Sequence, residues 1–463
     1  MSEIDIINPF NLEKITTIPL HSKSDVENAL HKADQLFHDR QRQLSVPQRV
    51  TILEKTKALM EQQVEDLTRI AATEGGKPYA DSKVEVLRAI NGVQLAIEHI
   101  AHNQDQFVPM GHTEASANRL AINIREPIGV ATGISAFNHP LNLIVHQTIP
   151  AIAVGCPVLI KPDLRTPMSC LRLVEILYEA GLPEDWCQAL ICENDAAEQL
   201  VTDPRVQYFS FIGSARVGWY LRSKLAPGTR CALEHGGAAP AIVDADVDFA
   251  KVVPSLLKGG FYHAGQVCVS VQRIFVHESI SHALAEKLAV NAMALKIGDP
   301  TNKETEVGPL ILPRELQRIE SWVDNAVAAG AQVLCGGERF SDTCYKPTVL
   351  LNPPLDSEVS TQEIFGPVVC VYSYSNREQA IAQANSLPYA FQAAVYTQNM
   401  DIAMDCAKKL DATAVMINDH TAFRVDWMPF GGRKESGLGM GGIPYSMHEL
   451  TQTKMIVMKS PAL

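Results

Sequence analysis

No cysteine precedes Cys156, and the ten that the 463-residue chain carries form no C-x-x-C pair and have no companion histidines at zinc spacing. The N-terminus, MSEIDIINPF, lacks a basic start before an apolar core, so neither a secretory signal nor a disulfide framework is expected. Basic residues are outnumbered, 40 against 52 acidic for a formal charge of -12, which leaves no footprint for nucleic acid. Aromatic residues make up only 6%. Repeats and low-complexity segments are missing. The stretch from Pro127 to Ile160 holds no Lys, Arg, Asp or Glu, yet it is no membrane span. A spanning helix needs about 20 mainly apolar residues, whereas Pro140, Pro150 and Pro157 interrupt this run and Asn138, His139, Asn142, His146 and Gln147 punctuate it. It reads as buried strand, loop, helix and strand. Such composition and length predict a cytoplasmic globular protein of two or three domains that folds without metal.

What is there is α/β patterning. The first hundred residues read mostly as helix: VENALHKADQLF after Ser24-Asp25, an apolar helical pattern over 46–70 ending near Gly75-Gly76, and another over 84–101. Turn residues and then alternation of Leu120, Ile122 and Ile124 predict a β-hairpin over 107–125. From Gly129 to Gly237, GVATGISA, CPVLIKP, QALICE and VQYFSFIG alternate with helices near 141–154, 168–180 and 195–201, the pattern of a doubly wound parallel sheet. A second α/β segment spans about 240–430, with PAIVDAD, QRIFVH, PTVLL, VVCVYSY and ATAVMIND as strands, and LTQTKMIVMK predicts a strand at the C-terminus. The hairpin and that last strand could pair within one chain or extend sheets between subunits.

Three short stretches carry candidate chemistry. In FIGSARVG, Gly213 and Ser214 open a helix and offer N–H groups and a hydroxyl to a pyrophosphate. Its glycine spacing is not the usual dinucleotide fingerprint, so a plain strand–turn–helix stays open. Cys268, in the polar run Gly265-Gln266-Val267, is either buried filler or a thiol with access. Glu234 stands beside Gly236-Gly237, where another backbone can approach; it is either a solvated acid or a base.

Together these stretches resemble the aldehyde dehydrogenase superfamily over essentially the whole chain. The matching motifs are TEGGKP (73–78), AFNHP (136–140), LIKPDLRTP (159–167), AGLPEDW (180–186), FIGSARVG, LEHGG, GQVC, GPLI (308–311), EIFGPVV (363–369) and MPFGGRKESGLG (428–439), in family order. The resemblance implies that Cys268 is the nucleophile, forming a thiohemiacetal and then a thioester. It implies that Glu234 activates the hydrolytic water, and that the Asn138 amide with the Cys268 N–H holds the oxyanion. Lys161, Gly213, Ser214, Glu363 and Phe365 match the residues that hold NAD or NADP. The implied architecture is a Rossmann-like dinucleotide-binding domain (1–106 and 126–236), a catalytic α/β domain (237–430) and oligomerisation strands (107–125 and 446–463). It implies a homodimer or homotetramer, acting on a small-molecule aldehyde and needing no metal.

Some positions depart from the pattern. Ala136 replaces a common Pro, His263-Ala264 precedes GQVC, and Leu164 stands where NAD-preferring members have a ribose-gripping Glu, with Arg165 next. Loss of that carboxylate makes NADP use plausible. The segment AFRVDWMPFGG resembles the branch of lactaldehyde, non-phosphorylating glyceraldehyde-3-phosphate and moss-type enzymes, which take small, polar or anionic aldehydes. Arg424 within it is a candidate anion anchor; alternatively it pairs with Asp426 two residues on. Glu234 argues against a CoA-acylating relative, and the four site residues Cys268, Glu234, Asn138 and Glu363 argue against a non-catalytic binding protein.

Overall fold

The computed structural model describes residues 2–102 and 105–463; Met1, Asn103 and Gln104, at the ends of the first expected segment, lie outside the described residues. The chain opens with a hairpin of β1 (Glu3–Ile7) and β2 (Lys14–Pro19), where the pattern predicts mostly helix. Its turn is local chemistry: the Asn8 side chain accepts the Phe10 N–H at 2.8 Å. Helices α1 (Lys23–His38), α2 (Val46–Gln62), α3 (Val64–Gly75) and α4 (Tyr79–Ile100) follow. The periodic run after Val46 is two helices, because Gln63 (φ -114°, ψ 20°) leaves the helical region between α2 and α3.

After β3 (Gln106–Val108) and β4 (Arg119–Pro127), the alternating half comprises β5 (Val130–Ile134), α5 (Asn142–Val154), β6 (Val158–Lys161), α6 (Met168–Glu179), β7 (Cys187–Ala189), α7 (Asn194–Ala197), α8 (Gln199–Thr202), β8 (Val206–Ile212), α9 (Ala215–Arg222) and β9 (Arg230–Glu234). Then come β10 (Ala239–Val243), α10 (Phe249–Phe261), β11 (Val271–His277), α11 (Glu278–Met293), α12 (Pro313–Ala328), β12 (Gln332–Cys335), β13 (Thr348–Leu351), α13 (Glu358–Thr361), β14 (Val368–Tyr374), α14 (Arg377–Ala384), β15 (Tyr389–Ala390), β16 (Gln392–Tyr396), α15 (Met400–Lys409) and β17 (Ala414–Ile417). Short β18 (Arg433–Lys434) and β19 (Gly437–Leu438), α16 (Ile443–Glu449) and β20 (Thr451–Lys459) close the chain.

The first large sheet runs β19-β9-β8-β5-β6-β7, parallel except for β19. Strand order reverses direction at β5/β8, and ligands of doubly wound sheets bind in the crevice at such a switch point. The second runs β12-β13-β14-β11-β10-β16-β17, parallel except for β12. Of the predicted QALICE strand only the start is strand, since the chain turns into α7 after Glu193. The predicted hairpin is longer and looser than expected, and β20 pairs with β4 within the same chain over Thr451↔Pro127 to Lys459↔Arg119. No helix among the described residues is long and apolar enough to cross a membrane.

Two buried glutamates fix the loops on the cleft side of the first sheet. Glu85, on α4, accepts the N–H groups of Leu141 (2.9 Å) and Asn142 (3.0 Å), the orphan donors that open α5. Its other oxygen meets the Lys77 ammonium, and both side chains are wholly buried. Glu74 does the same for α6, accepting the N–H groups of Met168 (2.7 Å) and Ser169 (2.8 Å); burial pushes its carboxyl up to about 7 against those bonds. Removing one partner of a buried pair leaves an uncompensated charge, a loss of about 3–5 kcal/mol. Lys77→Met is therefore expected to lower unfolding stability by that amount in a urea titration. A loss below about 1 kcal/mol, the size of a surface pair, would show that Glu85 holds α5 without its lysine.

Candidate active site

A single cleft of about 1260 Å³ runs between the two sheets, and all nine site residues expected from the sequence line it: Asn138, Lys161, Gly213, Ser214, Glu234, Cys268, Glu363, Phe365 and Arg424. At one end, Ser214 begins α9 without capping it through its side chain, so the Ala215 and Arg216 N–H groups and the hydroxyl stay free for an anion. Lys161 ends β6 and is buried, with only a 3.4 Å contact from Nζ to its neighbour's carbonyl. Burial lowers its pKa, opposed by Cys192 and Asp163. Leu164 does not line the cleft, and Arg165 is already engaged: its Nε donates to Asp163 Oδ1 at 2.6 Å and its guanidinium lies 4.8 Å from the Phe137 ring centre.

Midway, Glu363 and Phe365 descend from the loop before β14. The Gly237 N–H donates to Glu363 Oε1 at 3.0 Å. A methyl on Gly236 would overlap this carboxylate, so any larger residue at the second position after Glu234 would displace Glu363. Burial raises the Glu363 carboxyl to about 7, against Gly237 and Arg318. Phe365 (φ +50°) meets Phe137 edge-on at 5.9 Å, so that Arg165, Phe137 and Phe365 form one stack beside Asn138. Gly218, the last glycine of FIGSARVG, gives its missing side-chain volume to the His235 ring. That contact, rather than a phosphate, accounts for the spacing of the motif.

Deeper in, Cys268 follows a turn in which His263, Ala264 and Gly265 are all left-handed (φ 48°, 52° and 71°). The thiol is half-buried, and its N–H finds no acceptor in the rest of the described chain. Asn138 Nδ2 spends one hydrogen on Gln266 O (2.9 Å) and keeps the other. Gln266 is a junction that sequence reasoning passes over: its side chain also donates to Pro309 O (3.1 Å) and accepts the Ile311 N–H (3.0 Å), tying the GPLI motif to the thiol loop. Glu234 ends β9; burial raises its pKa, partly offset by Arg424. Burial and the nearby Glu234 push the Cys268 thiol up to about 12, with Arg424 opposing. The arrangement can form a bond to an electrophilic carbon, donate to the resulting oxyanion and take a proton from water.

The wall beyond holds the charges that the sequence pattern only partly exposes. Arg424 and Asp426 are 4.0 Å apart, but Asp426 belongs chiefly to others: Arg88 donates to it twice (3.1 and 2.7 Å) and His146 Nε2 lies 2.8 Å away. Among the described residues no group of three or more His, Cys, Asp and Glu could hold a metal ion.

Comparisons with known proteins agree with this geometry. The profile of the Aldehyde dehydrogenase family matches residues 1–456. The chain is 35% identical over 457 residues to a 3-sulfolactaldehyde dehydrogenase of Priestia aryabhattai (98% of this chain, 95% of the relative). It is equally 35% identical over 460 residues to a lactaldehyde dehydrogenase of Methanocaldococcus jannaschii (98% and 97%). Among solved structures, aldehyde dehydrogenase 21 of Physcomitrella patens in complex with the product succinate superimposes with a TM-score of 0.95 at 32% identity (99% and 95% covered). The glyceraldehyde-3-phosphate dehydrogenase GapN of M. jannaschii complexed with NADP gives 0.94 at 34% (99% of both).

The free enzyme's thiol should therefore be unusually reluctant to ionise. Alkylation of Cys268 by iodoacetamide, followed by peptide mass, is expected to keep accelerating above pH 9.0 towards about 12. A plateau below the ordinary thiol range of about 8.5 would contradict the burial argument.

Proposed function

Because the chain belongs to the aldehyde dehydrogenase family, whose members oxidise aldehydes to acids with NAD(P), we propose that Cys268 is its nucleophile, Glu234 its general base and Asn138 its oxyanion donor. The observation that carries this reading is the spare Asn138 N–H and the Cys268 N–H, which has no acceptor elsewhere among the described residues, opening on the same cleft as Glu234. Attack by the Cys268 thiolate on the aldehyde carbon moves negative charge to the carbonyl oxygen, where one missing donor lowers the rate about 100–1000-fold. The amide suits this because it donates without a charge that would retain the product. Glu234, its pKa raised by burial, can then draw a proton from the water that cleaves the Cys268 thioester.

Lys161, Gly213, Ser214, Glu363 and Phe365 are the proposed cofactor contacts; the open α9 terminus and the buried, nearly unpartnered Lys161 fit a dinucleotide. Once bound, its nicotinamide supplies the two-electron acceptor. The proposal includes NADP, since no carboxylate stands at position 164. Residues 1–106 and 126–236 form the proposed cofactor domain and 237–430 the catalytic one. The strands within 107–125 and 446–463 are the proposed assembly element, joining two or four copies. The outer edge of β20 has no strand partner among the described residues and exposes Met455, Ile456, Val457 and Met458, which supports that assembly. Ten free cysteines favour a cytoplasmic setting.

The proposed substrate is a small, polar or anionic aldehyde. Arg424 supports it: a side chain only 9% exposed, whose nearest carboxylate already serves Arg88. Relatives named for a sulfonated aldehyde and a phosphorylated one, and a neighbour holding succinate, point the same way.

Cys268→Ala is expected to abolish aldehyde-dependent cofactor reduction while cofactor binding, followed by tryptophan fluorescence, persists; residual turnover above a few per cent would refute the nucleophile. Arg424→Ala should weaken transition-state binding of an anionic aldehyde by about 2–5 kcal/mol, and of a neutral one of the same size far less. Equal losses in kcat/KM would make Arg424 structural.

A further inference from the structure

His146 lies on α5, in the wall of charges around Asp426, and nothing in the mechanism above uses it. Asp426 is 1% exposed. Burial alone would raise its pKa, but the bond from His146 and the charge of Arg88 hold it far below the usual carboxylate range. An ionised carboxylate only accepts, so the 2.8 Å contact fixes the proton of the imidazole on Nε2. Burial, Arg424 and Arg88 disfavour a second proton, against the pull of Asp426. Nδ1 of the neutral ring is therefore an acceptor, and it faces Arg424 Nη2 at 3.5 Å.

That contact is the only side-chain or backbone acceptor Arg424 has among the described residues. Its face rests on the Phe430 ring, 3.6 Å from the centre, which constrains tilt but not rotation in the plane. Its Nε is buried without a partner. Asp426 Oδ1, the oxygen 4.0 Å away, already accepts from Arg88, His146 and, at 3.4 Å, Asn142. The chemistry of the acceptor matters as much as its place. A carboxylate in the position of His146 would orient the guanidinium and also cancel its charge. A neutral imidazole orients it and leaves the charge intact.

We propose that His146 is a specificity-determining positioning residue, which uses Nδ1 to hold Arg424 so that its remaining edge meets an anionic group on the aldehyde. The proposal rests on Arg424 being the anion anchor, and its test separates the two claims. The readout is discrimination, the ratio of kcat/KM for an anionic aldehyde to that for a neutral one of equal size. Loss of a hydrogen bond to a charged group corresponds to about tenfold or more in such a ratio.

His146→Leu and His146→Asn are nearly isosteric, and only Asn retains an acceptor near Nδ1. His146→Leu is expected to lower discrimination about tenfold, His146→Asn to restore most of it, and His146→Asp to abolish it by neutralising Arg424. In an Arg424→Ala background His146→Leu should change discrimination no further. If His146→Leu does not fold, His146→Gln replaces it, keeping a donor to Asp426 and withdrawing the Nδ1 acceptor. Equal loss on both aldehydes in His146→Leu, with discrimination lost in Arg424→Ala, would overturn the role of His146 and leave the anchor standing. Equal loss on both in Arg424→Ala would overturn the anchor and His146 with it.

Discussion

The Arg424 end of the cleft depends on one buried carboxylate. Asp426 gathers Arg88 from α4, His146 and Asn142 from α5 and, more distantly, Arg424 from its own loop. Without that negative charge, two arginines would face each other uncompensated, one of them nearly buried. With it, one arginine is neutralised and the other is left with charge to spare. Helix, helix and loop are thus locked together by the same group that makes the wall electropositive. Stability and the proposed substrate preference are two readings of one electrostatic arrangement.

Burial sets the ionisation of the other groups by the same logic. Glu85 and Glu74 are kept inside because helix N-termini need acceptors, and they hold the entries to α5 and α6 in place. Asn138 precedes α5, so the Glu85 bonds also position the proposed oxyanion donor. Glu363 is raised to about 7 and Cys268 to about 12 because the cleft is poorly solvated. A site built this way keeps the proposed nucleophile quiet in the free enzyme, and attack requires either a proton acceptor or a change in local field.

Much of this was legible in the sequence. Parallel strands buried on both faces read as apolar runs, which is why β5, β6, β8, β10, β11 and β14 stand out. The motif residues are separated by up to a few hundred positions, and family order brings them together where periodicity cannot. Less legible were features whose cause is long-range. The β1–β2 hairpin is too short to beat a helical background, and β20 could not reveal its partner because pairing register is invisible in one strand. Lys77 and Glu85 look like surface charges until folding buries both. Asp426 looked like a partner for Arg424 by spacing alone, whereas Arg88, 338 residues away, holds it.

The central claim is a covalent intermediate on Cys268 that Glu234 resolves, and the most direct measurement is to stop the enzyme there. Glu234→Gln keeps the shape of the side chain and removes the base. Incubated with aldehyde and oxidised cofactor, then quenched in acid, it should carry one acyl group by intact mass, located by peptide mapping on Cys268. Release of that acyl group should be far slower than wild-type turnover. An acyl group on any other residue, or an unmodified variant that still turns over at the wild-type rate, would contradict the account.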